Sequence, residues 1–220
     1  MASMFPSIVV DGCIFAIDAA NTKSYSGSGI TVNGLVGGIG GTLVNGVGFT
    51  TSNNGSFIFD GTNDYTEYLS SNVFNLGTGD FTVSVWHKTT FKSNYSTIMS
   101  IDDGNGTGVI FYTTITSGVF RNWVAGVSKN GNIDICTGVW NNVTLTRSSG
   151  TCTQYVNGFS DVTFSAPGSL TVSGRSFFMG KILNEYYYNG NISQVQFYNR
   201  ALTAQEILQN FNALRGRYGI

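Results

Sequence analysis

Charged side chains are scarce in this chain. Lys, Arg, Asp and Glu make up 10% of its 220 residues and the net charge is −1, whereas about a quarter charged is usual. With no basic excess, neither nucleic acid nor an anionic membrane surface is an expected partner. The surface must be built largely from Asn, Ser, Thr and Gly. So little charge also means little repulsion between copies, which suits a protein that works in an assembly. Only three glutamates occur, Glu67, Glu185 and Glu206, and one histidine, His87. Glycoside hydrolysis needs two carboxylates about 5–9 Å apart, and none of the three glutamates has an acidic partner at strand spacing. A lone histidine with no reactive Ser or Cys beside it leaves no material for a hydrolytic triad. The sequence therefore predicts no catalytic residue and no enzyme, with His87 as a packed residue at the end of a strand.

Cysteine is an odd set of three, Cys13, Cys136 and Cys152, with no C-x-x-C and no metal spacing. Cys136 and Cys152 flank a strand and could meet across a hairpin; the plainer reading is free buried thiols that pack as small apolar groups. No apolar run is long enough to span a bilayer. The opening MASMFPSIVVDG has no basic region, the first cation being Lys23, so no signal peptide is expected. Met1–Ser7 reads as an extended arm or a frayed end. Proline occurs twice, and there is no linker and no repeat, so one domain over 1–220 is expected.

Glycine (29 residues) and aromatics (14%) are plentiful instead. Disordered chains are poor in aromatics, so a sizeable core is expected. Short apolar-polar alternations punctuated by turn residues recur along the chain, as in a sandwich or barrel. Ile8–Asp18 reads as a bulged strand or strand pair. Asn21–Gly48 reads as a long loop with one short strand at Gly41–Val44. Ser56–Asp60 and Tyr65–Leu69 follow, then Phe81–Lys88 (FTVSVWHK), in which Phe81, Val83, Val85 and His87 share a face. Thr97–Ile101, Gly108–Ile115 and Val119–Val127 come next, with Asn130-Gly131 as a hairpin turn. Trp140–Arg147 and Thr151–Val156 are joined at Ser149-Gly150, and Asn157-Gly158 is a further turn. Val162–Ser165, Leu170–Val172 and Ser176–Met179 complete the set.

The last stretch organises the rest. Asn189-Gly190 reads as a turn before a strand of Ile192, Val195, Phe197 and Tyr198, whose broken alternation predicts a bulge near Ser193-Gln194. Thr203-x-x-Glu206 is a capping box. Ile207, Leu208, Phe211 and Leu214 then follow at helical spacing, predicting a single short helix docked outside the sheets.

Five segments, in order, resemble a laminin-G-like, concanavalin A-like lectin domain: SIVVDGCIFAIDAANTKSY, FIFDGTNDY, GDFTVSVW, VWNNVTLTRSSGTCTQYVNG and QVQFYNRALTAQEI. The terminus NFNALRGRYGI resembles such domains in structural proteins of tailed phages, cyanophages especially. The resemblance implies an all-β fold, a two-sheet antiparallel jelly-roll sandwich with one C-terminal helix. The E-x-D-x-E strand of the family's hydrolases is absent. Because this fold serves many functions, two functional readings stand side by side. One is a non-enzymatic virion protein that decorates a capsid or forms part of a fibre, with other virion proteins and copies of itself as partners and host-surface carbohydrate as a ligand. The other is a carbohydrate-binding adhesion module with no structural role. A glycosidase remnant ranks third.

Relatives often hold calcium at a sandwich rim. The candidates here are Asp60 and Asp64 in FDGTND, and Asp102, Asp103 and Asn105 in DDGNGT. Asp and Asn also stabilise turns through their own backbone, so no cofactor is required. For sugar, the flat faces of Trp86 and Trp123 and the run Tyr186-Tyr187-Tyr188 are candidates, against the plainer reading that aromatics fill a large core. If the tyrosine run is a strand, Tyr187 faces away from Tyr186 and Tyr188.

Overall fold

The computed structural model describes residues 6–69, 71–93, 95–101, 107–113, 117–170, 174, 176–183 and 185–220. In chain order the strands are β1 (Cys13–Asp18), β2 (Thr31–Asn33), β3 (Gly40–Val44), β4 (Gly48–Thr50), β5 (Ser56–Asp60), β6 (Tyr65–Tyr68), β7 (Phe81–Lys88) and β8 (Thr97–Ile101). Then come β9 (Val109–Thr113), β10 (Val119–Val124), β11 (Val127–Asp134), β12 (Asn141–Ser148), β13 (Thr151–Val156), β14 (Phe159–Ser165), β15 (Phe177–Met179) and β16 (Asn189–Tyr198), with the helix α1 (Ala204–Tyr218) last. The first sheet has the order β14-β13-β12-β7-β16-β5-β4, with β1 also on β16. The second has the order β11-β10-β9-β8-β15-β6-β3-β2. The ladders are antiparallel, and the fold is the all-β two-sheet jelly roll with one C-terminal helix.

Alternation fixes which face of each strand is buried. Phe81, Val83 and Val85 of β7 lie beside Val143 and Leu145 of β12 and Val195 and Phe197 of β16, all fully buried. Opposite them, Met99, Phe111, Phe120, Val124 and Phe177 supply the inner face of the second sheet. At the centre, Phe15 meets Tyr68, Phe74, Phe177 and Phe197 edge-on at centroid distances of 5.2 to 5.8 Å, a geometry that aromatic quadrupoles favour.

β16 lies in the middle of its sheet. One side pairs with β7; the other takes β5 along Asn189–Ile192 and then β1 along Gln194–Tyr198. The expected bulge falls between Ile192 and Gln194. It turns Ser193 out of the ladder, so that its Oγ donates to the Gly55 carbonyl and accepts from Arg217 Nη2, each at 2.6 Å. Arg217 also grips the Asp18 carboxylate at 2.8 and 2.9 Å and donates to the Asn53 and Gly55 carbonyls. An irregularity in one strand thus helps lock the end of the helix to the sheet.

The capping box forms: Thr203 Oγ1 accepts the Glu206 amide and Glu206 accepts the Thr203 amide. The Glu206 carboxylate also takes both Arg200 Nη groups at 2.9 and 2.6 Å. Arg200 first, and then the Thr203 amide, hold the Glu206 carboxyl down to about 2 from its ordinary 4.5. A depressed carboxylate stabilises the fold above its unfolded value and loses that contribution as pH falls. The thermal midpoint should therefore fall through the window from pH 4.5 to about 2. Glu206→Gln should flatten that part of the profile and cost on the order of 1 kcal/mol at neutral pH. Melts across a pH series check this, and a parallel profile in the variant would refute it.

Several local expectations are corrected. β2 pairs with β3 inside the stretch expected as loop; three residues, Thr-Val-Asn, were too short to show a period among so many glycines. Val119–Val127 is not one strand: Ala125-Gly126, at φ 47° and 85°, turns β10 into β11. Such paired positive values make a type I′ hairpin. Asn130-Gly131 therefore lies within β11, where the missing side chain of Gly131 lets the Asp161 carboxylate approach and bond Asn132. Asn189-Gly190 is likewise strand, paired with Asp60 and Phe59. Gly190, at φ 148°, is needed because a Cβ there would strike the Lys88 carbonyl. No disulfide joins the three cysteines, and burial pushes the Cys152 thiol up to about 12. Of the expected arm, 1–5 lie outside the described residues; Ser7 and Val9 bond α1 through Gln209 and Asn210.

Candidate functional site

Two of the five candidate sugar-binding aromatics are core residues. Trp86 points to the outer face of the first sheet, yet it is 2% exposed because α1 covers it. Its ring stacks on Tyr218 at 4.1 Å and on Phe211 at 5.7 Å. Tyr188 is fully buried against Phe59, with its hydroxyl 3.0 Å from His87 Nδ1. Burial pushes the His87 imidazole down to about 3, so at neutral pH it is an uncharged packed residue. The alternation expected for the tyrosine run fails because Leu183 and Tyr186 have positive φ, 55° and 57°. Tyr186 and Tyr188 therefore part company: Tyr186 is 43% exposed and Tyr188 is buried.

Trp123 and, through Tyr95, Tyr186 lie on the outer face of the second sheet, across the sandwich from α1, and Tyr187 is near Tyr65 of that face. Arg121 and Trp123 of β10 sit opposite Tyr112 and Ile110 of β9, all on that face. Next to them Tyr95 packs edge-on against Tyr112 at 5.3 Å and against Tyr186 at 5.2 Å. Ile182 completes the floor under Tyr95 and Trp123. The Arg121 guanidinium lies 5.1 Å from the Tyr95 ring and 5.2 Å from the Tyr112 ring. Cations are held over aromatic faces at such distances by the ring quadrupole.

Further along the same face, β6 and β15 add Tyr65, Glu67 and Phe178. Lys181 caps them, its Nζ 3.6 Å from the Tyr65 ring centroid and 4.7 Å from that of Phe178. Its burial lowers the Lys181 ammonium, and Glu67 raises it in part. Burial, Glu67 and Tyr187 all push the Tyr65 phenol up. The result is an aromatic strip with two cations, across strands that are distant in sequence; Tyr65, Tyr95, Arg121, Trp123 and Phe178 are half-exposed, whereas Tyr112 and Lys181 are buried.

The sequence pointed to Trp123, Tyr186 and Tyr187, but not to Tyr65, Tyr95, Tyr112, Arg121, Phe178 or Lys181. Period-two spacing puts Arg121 with Trp123, and Ile110 with Tyr112. Bringing these pairs together requires the β9–β10 register, which no local pattern contains.

Asp60, Asp64, Glu67 and Glu206 already have partners within the fold. Asp60 Oδ1 accepts the Thr62 and Asn63 amides, and Asp64 Oδ2 accepts the Asp60 amide. Those amides, Thr62 first, hold the Asp60 carboxyl below its usual range, while burial and then Asp60 raise that of Asp64. Asp102, Asp103 and Asn105 lie outside the described residues. Among the described residues no three His, Cys, Asp or Glu side chains group to hold a metal. Glu67 accepts from Ser176 Oγ, and Glu206 caps the helix.

A family model described as Laminin_G_3, the concanavalin A-like lectin/glucanases superfamily, matches residues 44–208. No curated protein sequence gives a significant match. Among solved structures, domain 4 of AbnA, an extracellular GH43 arabinanase from Geobacillus stearothermophilus in complex with arabinotriose, aligns over 92% of this chain and 100% of that one, with TM-score 0.71 and 14% identity. The binding domain of botulinum neurotoxin DC in complex with SialylT aligns over 93% of this chain and 52% of its own, with TM-score 0.72 and 15% identity. Trypanosoma rangeli sialidase in complex with the inhibitor DANA aligns over 96% of this chain and 36% of its own, with TM-score 0.67 and 13% identity. The chain thus spans all of the arabinanase domain, but about half or less of the other two. At such identities the likeness is one of fold.

Proposed function

Since this chain belongs to the concanavalin A-like lectin/glucanase superfamily, we infer that it is a non-enzymatic, lectin-like module that binds carbohydrate on the outer face of its second sheet. The observation that carries this reading is the clustering of Trp123, Tyr95, Tyr112 and Tyr186 around Arg121. Sugar rings bind on flat aromatic faces flanked by hydrogen-bonding groups, and the half-exposed Trp123 and exposed Tyr186 offer such faces. Two of the structures that share the fold, the arabinanase domain and the neurotoxin binding domain, hold arabinotriose and SialylT. The engagement of Asp60 and Asp64 in a turn and of Glu206 in the helix cap supports binding without hydrolysis.

We place the module on the virion of a tailed phage, as a capsid decoration or part of a fibre, with other virion proteins and copies of itself as neighbours. Support comes from the likeness of NFNALRGRYGI to the terminus of such domains in tailed-phage structural proteins and from the scarcity of charge. Antibody labelling of intact particles tests this placement: label on capsomers or on fibres supports it, and unlabelled particles refute it.

A glycan array followed by calorimetric titration tests the ligand. Saturable binding is expected, and Trp123→Ala should weaken it by about tenfold or more, as loss of a central aromatic anchor does. Tyr186→Ala should weaken it less. A flat array, or full binding by Trp123→Ala, would sink the proposed face.

A further inference from the structure

The aromatic face holds a cation that meets no acid among the described residues. Three other arginines have theirs filled: Arg147 by backbone carbonyls, Arg200 by Glu206 and Arg217 by Asp18. Arg121 differs. Its Nε donates to Ser128 Oγ at 2.9 Å, and among the described residues no carboxylate pairs with it. Lys181, the other cation on this face, feels the nearby Glu67.

Arg121 is also held in place. The bond to Ser128 crosses the β10–β11 ladder, and the rings of Tyr95 and Tyr112 support the guanidinium. A half-buried, oriented guanidinium matches a planar or trigonal oxyanion with two parallel hydrogen bonds. Trp123 stands two residues along the same strand, roughly 7 Å away on the same face, about the width of one sugar ring. Asn130, exposed and opposite Arg121 in the ladder, adds an amide at the rim.

Resting on the reading of this face as a carbohydrate site, we propose that its ligand class is acidic carbohydrate. One sugar ring lies on Trp123, and a carboxylate or sulfate on that sugar takes the terminal nitrogens of Arg121.

The test is a titration of the full chain with matched pairs of oligosaccharides. One arm compares a carboxylate-bearing glycan with its neutral, carboxyl-reduced counterpart; the other compares a sulfated glycan with its desulfated form. The expected result is a preference of tenfold or more for the acid in one arm, and that arm identifies the anion. Arg121→Gln should bring this ratio to about one, through a larger loss for the acidic member of each pair than for the neutral one. Arg121→Lys should keep only part of the preference, because an ammonium cannot offer the bidentate fork. Equal affinities within both pairs, or a preference that survives in Arg121→Gln, would overturn the proposal. If neutral sugars bind through Trp123 without preference, the carbohydrate reading stands and the acidic one falls; if no sugar of either arm binds, both fall. The wild-type comparison needs no variant, so it decides even if a substitution at Arg121 fails to fold.

Discussion

Replacing Arg147 with alanine should lower the thermal midpoint by about 10 °C, the largest shift expected from any one substitution outside the apolar core. Arg147 stands on the inner face of β12 and is fully buried, a rare place for a charge. It is kept there by carbonyls. Nε and Nη2 donate to Gly79 at 3.0 and 2.6 Å, Nη2 to Gly77 at 2.7 Å and Nη1 to Gly168 at 2.9 Å. The guanidinium also lies 5.0 Å from the Phe81 ring. Alanine would take the donor from the Gly79 and Gly168 carbonyls, leave Gly77 only the Leu170 amide, and open a void beside Phe81. A hydrogen bond from a charged group is worth about 1.5–3 kcal/mol, and water can reach the exposed Gly79 and Gly168, so a total of roughly 3–5 kcal/mol is expected. Lysine should recover part of this, since it brings the charge but not the fork. Denaturant and thermal melts of the two variants check the order wild type, lysine, alanine; an alanine variant within about 1 °C of wild type would refute the account.

Trp86→Ala should be nearly as damaging, for a different reason. The indole fills the seam between the first sheet and α1, flanked by Phe211, Tyr218 and Trp140. Removing a buried tryptophan costs about 3–5 kcal/mol through lost burial and the cavity left behind. The helix end should loosen first, so Trp140, whose Nε1 donates to Asn53 Oδ1 at 3.0 Å, should report it as a red-shifted emission. Any glycan bound by the wild type should still bind this variant at temperatures where it stays folded. That separates Trp86, which holds the fold, from Trp123, whose loss should cut binding and leave the melt nearly unchanged. Loss of binding in folded Trp86→Ala, with Trp123→Ala unaffected, would place the site on the wrong face.

The two tryptophans also show how far the sequence could be read. Strands with clean alternation, such as Phe81–Lys88 and Thr151–Val156, were legible residue for residue, because one buried face imposes period two over the whole run. The capping box fixed the start of the helix equally well. Alternation also set Trp86 on the face opposite Phe81, Val83 and Val85; it could not show that the helix returns over that face. The binding strip was hidden for a related reason. Its parts come from β9, β10 and the segments around Tyr95 and Tyr186, and only long-range pairing collects them. The Tyr186-Tyr187-Tyr188 run misled because two residues of positive φ broke the extended chain that the alternation assumed.

The position of β16 bears on how the protein must be made. Its partners β1, β5 and β7 are all translated well before it, yet β16 is the strand that joins them. A chain emerging from the ribosome therefore holds the flanks of its first sheet with the middle missing, and the β1, β5 and β7 edges stay open until β16 emerges. Pairings that span nearly the whole chain are slow to form, and open strand edges invite association between nascent neighbours. A truncation before β16 would remove the one element that joins the early strands into a sheet.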